Sequence, residues 1–484
     1  MSGFCGSFGP GQEAFDPERM AVAVRRPALP LRVGRCAGGT VALAANAGEG
    51  RLFRDDGLLI AVWGGCAATL ARQWRTGGAA GCADMGGSFA FALIDEYRGE
   101  ALLGVDRLAS RPLCYRVHGG TLSFATCADA LARPGASAAH DPQALFDYLY
   151  FQYIPPGASL HPEIARLGPG ETLHFARGHA LRRRASQPLM IAALADDTTE
   201  VLPAAGSLAD AVPDMAAALD QPFGKPVLGA AWMAAQRAAA RGEAVAFDIV
   251  FDSERHARER LRSRYAQLPG PLRQVVIEPV LFHMLGGVHS AGLEEMRGRV
   301  AQCVAWLPEA LEAGSLLGIY GIDKVVDRDL LAAVDRQRPL KLLRDAWWST
   351  YGEDDARRLA AIDLQFEVAG GALPAMAAAC DAFGVALSVP ALDNAAPSAT
   401  LGRAARADSW LERDEHLRAL AYDSLLDLKR RRIVRGAFID MLLSLSAPAN
   451  ADMVWMLMML EQWFAQRSRA AQGSVAHEQA ACCK

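Results

Sequence analysis

Four short segments between residues 87 and 125 place apolar or small residues at alternate positions. They are Gly87–Asp95, Leu102–Arg107, Arg111–Tyr115 and Leu122–Ala125. Alternation with a period of two is typical of β-strands, and the Gly119-Gly120 pair before the last segment supplies the residues that a tight reversal requires. This stretch therefore predicts consecutive antiparallel strands, and it restricts the surrounding chain to a sheet-rich domain.

The length and charge of the chain narrow the classes of protein to consider. Its 484 residues are 51% hydrophobic and 21% charged, enough to bury more than one core. A formal net charge of −4 gives no electrostatic reason to expect nucleic acid or an anionic membrane as a partner. The apolar run Met453–Leu460 is too short to span a bilayer. We expect a cytoplasmic protein that binds neither nucleic acid nor membrane.

The ten cysteines show no CxxC spacing that would indicate a zinc site. They are scattered, and reduced thiols are the expected state in the cytoplasm. His283 and His289 lie close together without a third ligand at metal spacing, so ordinary histidines are the expectation. No metal site is predicted.

The chain changes character near residue 181, where Pro188 and Pro203 interrupt any long element. The pattern predicts a strand-rich domain over 1–180, a linker over 181–206, a helical domain over 207–468 and a flexible tail over 469–484. Within the first domain, Asp141-Pro142 is a good N-cap and first-turn pair for a helix.

Two helices are indicated in the second half of the chain. Leu373–Phe383 has apolar residues at helical spacing and is followed by Gly384, which predicts the end of the helix and then a strand over 385–389. Met453–Phe464 has an apolar face, with Glu461 and Gln462 expected on the opposite side. A Met-rich face of this kind is typical of a core helix.

The order of these motifs resembles the glutamine-hydrolysing asparagine synthetase family. In the second half the resemblance is carried by Ala218–Phe223, Phe383–Asp393 and Val454–Trp463. It implies an α+β and α/β architecture: an N-terminal αββα sandwich of the Ntn-hydrolase type, then a shortened adenine-nucleotide α-hydrolase-like domain with a helical C-terminal part. In family terms these are a class II glutamine amidotransferase domain and a truncated asparagine-synthase domain.

The resemblance allows the glutaminase residues to be checked one by one. The family nucleophile is an N-terminal cysteine, and Ser2 stands there; a hydroxyl is a much poorer nucleophile than a thiol near neutrality. Cys5 lacks an amine of its own to act as base, so we interpret it as a packed strand residue. The family's Asn-Gly-Glu oxyanion loop aligns with Trp63, Gly64 and Gly65, where Gly64 is a remnant and Trp63 offers no amide donor.

The residues expected to bind ATP are also altered. The family's Ser-Gly-Gly-x-Asp-Ser phosphate loop is missing from the sequence. Its Gly-Asp-Gly-x-Asp-Glu loop aligns with the segment from Phe247 to Ser253, in which Asp248 and Asp252 are remnants or simply solvated carboxylates. Asp393 and Lys429 align with a pocket acid and a basic catalytic segment, although Lys429 equally fits a solvated helix face.

Two functions remain open at this stage. The first is a degenerate paralogue with impaired or absent glutaminase and ligase chemistry, which binds an intact homologue or a peptide, needs no cofactor and can form a homodimer. The alternative is an active ATP-dependent carbon–nitrogen ligase using Mg-ATP, either an asparagine synthase of the glutamine-hydrolysing type that serves asparagine biosynthesis, or an enzyme resembling peptide or lactam cyclases.

Overall fold

The structure is a computed structural model of the full chain. It describes residues 3–10, 29–45, 50–82, 85–132, 140–184, 208–247, 264–265, 267–277, 279–280, 311, 315–393, 407–444 and 450–482. The chain forms two compact units. The first consists of Met1–Ile249, Asp323–Arg336 and Leu364–Lys484, and the second of Val250–Ile322 and Gln337–Asp363.

The N-terminal part of the first unit contains two six-stranded sheets, each with antiparallel pairing throughout. The strands are β1 Gly3–Phe8, β2 Leu31–Cys36, β3 Gly39–Ala44, β4 Gly50–Asp55, β5 Leu58–Trp63, β6 Ala90–Asp95, β7 Glu100–Val105, β8 Cys114–His118, β9 Thr121–Ala125, β10 Ala165–Arg166, β11 Glu171–Ala176 and β12 His179–Arg184. Sheet A has the order β10-β8-β9-β1-β3-β2, and sheet B has the order β12-β11-β7-β6-β5-β4.

The four strands predicted from the alternating pattern are confirmed, but they are divided between the sheets. β6 and β7 pair in sheet B, with Ala92 opposite Leu103, whereas β8 and β9 pair in sheet A. Gly119 and Gly120 make the turn between β8 and β9 with φ of 55° and 74°, values that suit glycine. The predicted reversal therefore lies at the expected position.

The two sheets pack face to face around one apolar core, which confirms the predicted sandwich. Residues from both sheets fill it, among them Phe4 and Phe124 from sheet A and Ala92 and Leu103 from sheet B, all fully buried. The alternate residues of sheet B point the other way. This explains why β6 is apolar on both faces: one set packs between the sheets and the other under a helix.

Helix α1, Ala67–Cys82, covers the outer face of sheet B. Its Trp74 is 1% exposed and donates a hydrogen bond from Nε1 to Asp95 Oδ2 at 2.7 Å. On sheet A, the described part of the outer layer is a short 3-10 helix, Ala128–Leu131. The predicted helix after Asp141 is α2, Pro142–Phe151, and Asp141 Oδ1 caps it by accepting from Gln143 N at 2.9 Å.

The remainder of the first unit is mainly helical. Its helices are α3 Leu208–Ala218, α4 Val227–Arg241, α7 Arg328–Ala332, α10 Leu373–Phe383, α11 Pro390–Asp393, α12 Ala407–Arg413, α13 Glu415–Arg430, α14 Gly436–Ser444 and α15 Ala451–Cys482. The predicted helix Leu373–Phe383 is confirmed, and it ends at Gly384 in the left-handed conformation. Two short parallel strands, β13 Val245–Ala246 and β14 Leu387–Ser388, pair beside it.

The C-terminal helix differs from the prediction in where its polar residues lie, and it extends to Cys482, into the region that was predicted as a tail. Glu461 and Gln462 were expected to face away from the core, and that expectation is wrong, because they are 4% and 9% exposed. Glu461 accepts two hydrogen bonds from Arg431, at 2.5 and 2.7 Å, and Gln462 Nε2 donates to Ser424 Oγ at 2.9 Å. Residues 453–464 of α15 are thus buried on all sides, with the polar groups of Glu461 and Gln462 paired inside the protein.

The segment Asp220–Phe223 joins the helical part to the sandwich. Asp220 Oδ1 accepts a hydrogen bond from Ala128 N at 2.7 Å, and Gln221 Oε1 accepts one from Leu160 N at 2.7 Å. A third hydrogen bond links the same two parts of the unit: Tyr148 Oη donates to the carbonyl of Met456 at 2.8 Å. These contacts use side chains of one part to satisfy the backbone of the other.

The second unit contains the described helices α5 Leu316–Tyr320, α8 Arg338–Ser349 and α9 Asp355–Ile362, together with a π-helical segment, Leu272–Ile277. Helix α6, Ile322–Val325, lies where the chain passes between the units, as does a second π-helical segment, Asp363–Ala372. Across the described residues, we find no helix with the length and apolarity needed to cross a bilayer.

Candidate functional site

A cleft opens in the first unit, between the sandwich and the helical part. Sandwich residues form one wall and the segment from Ala218 to Phe223, with helix α10, forms the other. The polar and charged side chains on its walls are Ser110, Arg111, Thr126, Cys127, Arg166, Asp220, Gln221 and Asp381. Aromatic rings of Trp63, Tyr153 and Phe223 add apolar surface, a combination typical of small-molecule and peptide sites.

The cleft lies beside the N-terminal end of β1. Phe4 N donates to Thr126 Oγ1 at 3.2 Å, and Thr126 N donates to the Phe4 carbonyl at 2.9 Å, so the cleft residue Thr126 is bound to the second residue of the strand. Ser2, the predicted weak nucleophile, lies outside the described residues. Cys5 is fully buried, and burial raises the pKa of its thiol to about 12. The interpretation of Cys5 as a packed strand residue agrees with this environment.

The segment aligned with the family's oxyanion loop has a defined geometry. Gly64 has a φ of 86°, and a Cβ placed on it would lie 2.3 Å from the Ser88 carbonyl oxygen, so only glycine fits. Trp63 is 3% exposed and lines the cleft. The Arg111 guanidinium stacks 4.0 Å from the centre of its ring. An indole and a guanidinium therefore stand where the resemblance would place a side-chain amide.

Arg111 also contacts the opposite wall of the cleft. Its Nη1 lies 3.7 Å from Asp381 Oδ1, and both side chains are mostly buried, at 14% and 18% exposed. Trp63, Arg111 and Asp381 form a stack, which we call the Trp–Arg–Asp stack. It joins β5, the loop before β8 and helix α10, and it leaves the Arg111 charge compensated.

Three possible metal ligands lie close together on the sandwich side. The ligand atoms of Cys127, Asp129 and Asp220 are within 4.8 Å of one another. Asp129 is already engaged by Arg467 at 2.9 Å and by His161 at 3.2 Å, and although burial opposes it, these partners hold the pKa of Asp129 below its ordinary value. A cation would have to displace Arg467, so the group is better suited to pairing than to holding a metal.

Cys127 is the thiol on the cleft wall, and it is poorly suited to nucleophilic attack. It is 4% exposed, and burial together with the neighbouring Asp220 and Asp129 carboxylates raises its pKa well above the ordinary value. A thiol with a raised pKa is protonated at neutral pH and reacts slowly. Cys127 therefore contributes a neutral polar group to the wall.

Arg166 is the second arginine of the cleft. It lies on β10, where its backbone is paired with Cys114 of β8. Its side chain is partly buried, and within the part of the chain that the structure describes its guanidinium makes no hydrogen bond or ion pair. Its carbonyl oxygen accepts a hydrogen bond from Arg182, which also pairs with Glu171 at 3.2 Å.

Of the four residues aligned with ATP chemistry as site candidates, the structure describes the side chain of Lys429 alone. Asp248 and Asp252 lie outside the described residues, and of Asp393 only the backbone, in α11, is described. Lys429 is paired with Asp440 at 2.6 and 2.8 Å and is 41% exposed. Their assignments to ATP chemistry stay predictions.

One reactive group was missed by the sequence analysis. Cys66 is exposed at the N-terminus of α1, and hydrogen bonds from the Thr69 hydroxyl and from the Thr69 and Ala68 backbone amides lower its pKa. The signal was present in the sequence, because a cysteine immediately before a helix occupies the position where N-capping residues accept such bonds.

Comparison with known proteins gives a partial match for the sandwich. Residues 66–185 match the family described as a glutamine amidotransferase domain, so over this stretch the chain is similar to glutamine amidotransferases. That supports the coarse outline of the predicted resemblance, and the narrower likeness to asparagine synthetase stays a prediction. No curated protein matches the sequence.

A solved structure of glutamine phosphoribosylpyrophosphate amidotransferase from B. subtilis, complexed with ADP and GMP, is also similar. The match covers 51% of this chain and 60% of that chain, with 14% sequence identity and a TM-score of 0.26. This chain therefore spans less than two thirds of that relative. A TM-score this low does not establish a common fold.

Proposed function

We propose that this chain is a degenerate relative of the asparagine synthetases that uses its amidotransferase-type scaffold to bind a ligand in the cleft. The ligand is a peptide or a peptide segment of a partner protein. In this proposal the chain neither hydrolyses glutamine nor forms amides with ATP. The observation that supports it is the Trp–Arg–Asp stack, which covers Trp63, the residue that the resemblance aligns with the amide of the family's oxyanion loop.

The chemistry of the stack supports a loss of glutaminase activity. An oxyanion hole needs hydrogen-bond donors aimed at the developing negative charge, and losing one donor costs about a hundredfold or more in rate. The Trp63 ring is covered by Arg111, which is itself committed to Asp381. The thiol on the cleft wall, Cys127, is kept protonated by its raised pKa.

The environment of Phe247 supports a loss of ATP chemistry. Phe247 aligns with the first glycine of the family's Mg-ATP loop, directly after β13, and its side chain is 6% exposed. Nucleotide phosphates are bound through close approach to backbone N–H groups, which glycine permits and a buried ring does not. The proposal accordingly includes no cofactor.

The loss of chemistry is tested on the purified full-length chain. We expect no glutamate release from L-glutamine above the buffer rate, no thermal stabilisation by Mg-ATP and no pyrophosphate release with carboxylate substrates. Glutamate release that disappears in a Ser2→Ala variant, or saturable ATP binding, would contradict the proposal and favour the active amide ligase. Mass spectrometry of the N-terminus shows separately whether Ser2 is exposed, since a retained Met1 removes it as a nucleophile.

The binding role is tested by filling the cleft. Ala378 is partly exposed on α10 and lines the cleft, so Ala378→Trp places a large ring in it with little disturbance of the core. We expect the wild-type chain to bind members of a dipeptide panel in saturation-transfer NMR and the variant to lose that signal. Binding that is unchanged in Ala378→Trp would show that the cleft is not the site.

A further inference from the structure

Strand β12 lies at the edge of sheet B. Among the described strands it pairs with β11 alone, so one side of its backbone has no strand beside it. All six of its residues are exposed, including the apolar Leu181, which is 53% exposed. An exposed edge strand presents a row of backbone donors and acceptors with which another extended chain can pair.

The turn into β12 decides which backbone groups point outward. Ala176 lies opposite His179, and the two residues between them, Arg177 and Gly178, have positive φ of 51° and 79°. The residues that flank a two-residue turn form a hydrogen-bonded pair, and bonded and non-bonded pairs then alternate along the strands. The residues of β12 whose backbone N–H and C=O groups point away from β11 are therefore Ala180, Arg182 and Arg184.

This edge is basic, although the chain as a whole carries a formal net charge of −4. Residues 177–184 include four arginines, one histidine and no acid. Arg182 already has partners, since it pairs with Glu171 at 3.2 Å and lies 5.5 Å from the centre of the Tyr115 ring. Arg177 and Arg183 are exposed, and neither makes a hydrogen bond or ion pair with any residue that the structure describes. Two positive charges thus stand beside the open edge without a counter-charge from the described chain.

The conformation of Arg177 is a separate indication of function. Its φ of 51° lies in the left-handed region, where a residue with a Cβ is strained and glycine or asparagine is more usual. Strained residues of this kind cluster at active sites and ligand clamps. At this turn the strained residue holds a guanidinium at the tip of the β11–β12 hairpin, next to the open edge.

The charge of the edge distinguishes between possible occupants. A second copy of this chain, adding its β12 to this one, would bring two sets of arginines together, and like charges on paired strands are destabilising. A nucleic acid would meet the arginines but has no peptide backbone to continue the sheet. An acidic extended peptide satisfies both features, and Leu181 offers its side chains an apolar contact.

We propose that β12 is the docking edge for an acidic, extended segment of a partner protein, which adds to sheet B as a further strand and whose carboxylates face Arg177 and Arg183. None of residues 177–184 lines the cleft, so this surface is separate from the site of the proposed function and does not depend on it.

The test uses the purified full-length chain and a short fluorescein-labelled peptide in which glutamate and valine alternate, with binding followed by fluorescence anisotropy in low-salt buffer. One control peptide has lysine in place of glutamate. A second is N-methylated at every amide, which removes the backbone donors and keeps the charge. A labelled single-stranded DNA is the nucleic-acid probe.

The protein variants separate the charges from the backbone. Arg177→Glu/Arg183→Glu reverses the two unpaired charges, and its control is Arg430→Glu, because Arg430 is an 81% exposed arginine on α13. Ala180→Pro removes an outward N–H from the exposed edge, where proline is tolerated, and its control is Ala180→Val, which keeps that N–H.

We expect the acidic peptide to bind the wild-type chain, and the lysine and N-methylated peptides to bind at least about tenfold more weakly. Arg177→Glu/Arg183→Glu should weaken the acidic peptide about tenfold, through the loss of two exposed ion pairs and the new repulsion, and added salt should reduce this difference. Ala180→Pro should also weaken binding, whereas Ala180→Val, Arg430→Glu and the cleft variant Ala378→Trp should bind as wild type does.

Four results would overturn the proposal. They are failure of the acidic peptide to bind wild type, equal binding of the N-methylated peptide, equal binding to Arg177→Glu/Arg183→Glu, and tighter binding of the DNA than of the peptide. Self-association in analytical ultracentrifugation that Ala180→Pro abolishes would assign the edge to a second copy and would also overturn it. If Ala180→Pro does not fold, the N-methylated peptide on the wild-type chain still decides whether the backbone is used.

Discussion

The ion pair between Arg431 and Glu461 offers a direct measure of how the C-terminal helix is held. The Glu461 side chain is 6% exposed and that of Arg431 is 33% exposed, and Arg431 also stacks 4.5 Å from the Phe464 ring. In Arg431→Met the Glu461 carboxylate stays buried without a partner. Breaking a fully buried pair costs about 3–5 kcal/mol, and the partial exposure of Arg431 reduces our expectation to about 2–3 kcal/mol.

Removing both charges should recover most of that loss. In Arg431→Met/Glu461→Met no carboxylate is buried unpaired, so we expect the double variant to be within about 1 kcal/mol of wild type. The measurement is urea unfolding followed by tryptophan fluorescence, comparing the free energy of unfolding of the four proteins in the cycle. Arg430→Met is the matched control, because Arg430 is 81% exposed and its pair with Asp427 should contribute at most about 0.5 kcal/mol.

The reasoning is refuted if Arg431→Met is no less stable than Arg430→Met, or if the double variant shows the sum of the two single losses. Either result would mean that Glu461 is reached by water and does not depend on Arg431. The same cycle also tests the correction to the sequence prediction, since a Glu461 turned toward solvent would show no coupling.

Three further predictions concern single positions. Burial, and then the charges of His161 and Arg431, lower the pKa of His140 to about 4, against about 6.5 in the unfolded chain. The contribution of His140 to stability is therefore complete above pH 6.5 and is lost as the pH falls through 4. Discounted for partial exposure, this contribution is about 1–2 kcal/mol, and His140→Gln should flatten the pH dependence of the unfolding free energy between pH 6.5 and 4. Among the described cysteines, limiting iodoacetamide at pH 7 should label Cys66 first, as peptide mapping would show, whereas faster labelling of a buried cysteine would contradict its lowered pKa. Gly64→Ala should destabilise the chain by about 1–3 kcal/mol, through backbone strain and the contact of the new Cβ with the Ser88 carbonyl. Gly86→Ala is the control, because a Cβ at Gly86 has no atom within 4 Å. Equal thermal midpoints for the two variants would refute the geometric argument.

The elements that the sequence predicted well depend on local signals. The alternation from Gly87 to Ala125, the Asp141 cap and the stop at Gly384 each act through neighbouring residues, so they can be interpreted without knowing the fold. The partition of the four strands between two sheets was not visible in the pattern. β7 pairs with β11 and β8 pairs with β10, and both partners lie beyond the predicted stretch.

The contacts that form the cleft could not be predicted from the sequence, because they do not depend on neighbouring residues. Trp63 could be recognised as a poor replacement for an amide, but its stacking on Arg111 and the pairing of Arg111 with Asp381 join residues far apart in the chain. Likewise, Glu461 looked solvated because its partner Arg431 lies on another element.

The hydrogen bonds from Ala128 and Leu160 to Asp220 and Gln221 have a consequence for how this protein can be divided. A shortened chain ending before residue 208 would expose two backbone amides whose acceptors come from later residues, and would lose the Met456 carbonyl that receives the Tyr148 hydroxyl. Each unpaired buried group costs about 1–3 kcal/mol, comparable to a large part of a typical domain's stability. We therefore expect the sandwich and the helices of this unit to fold together, and a chain cut before residue 208 to be markedly less stable than the full chain.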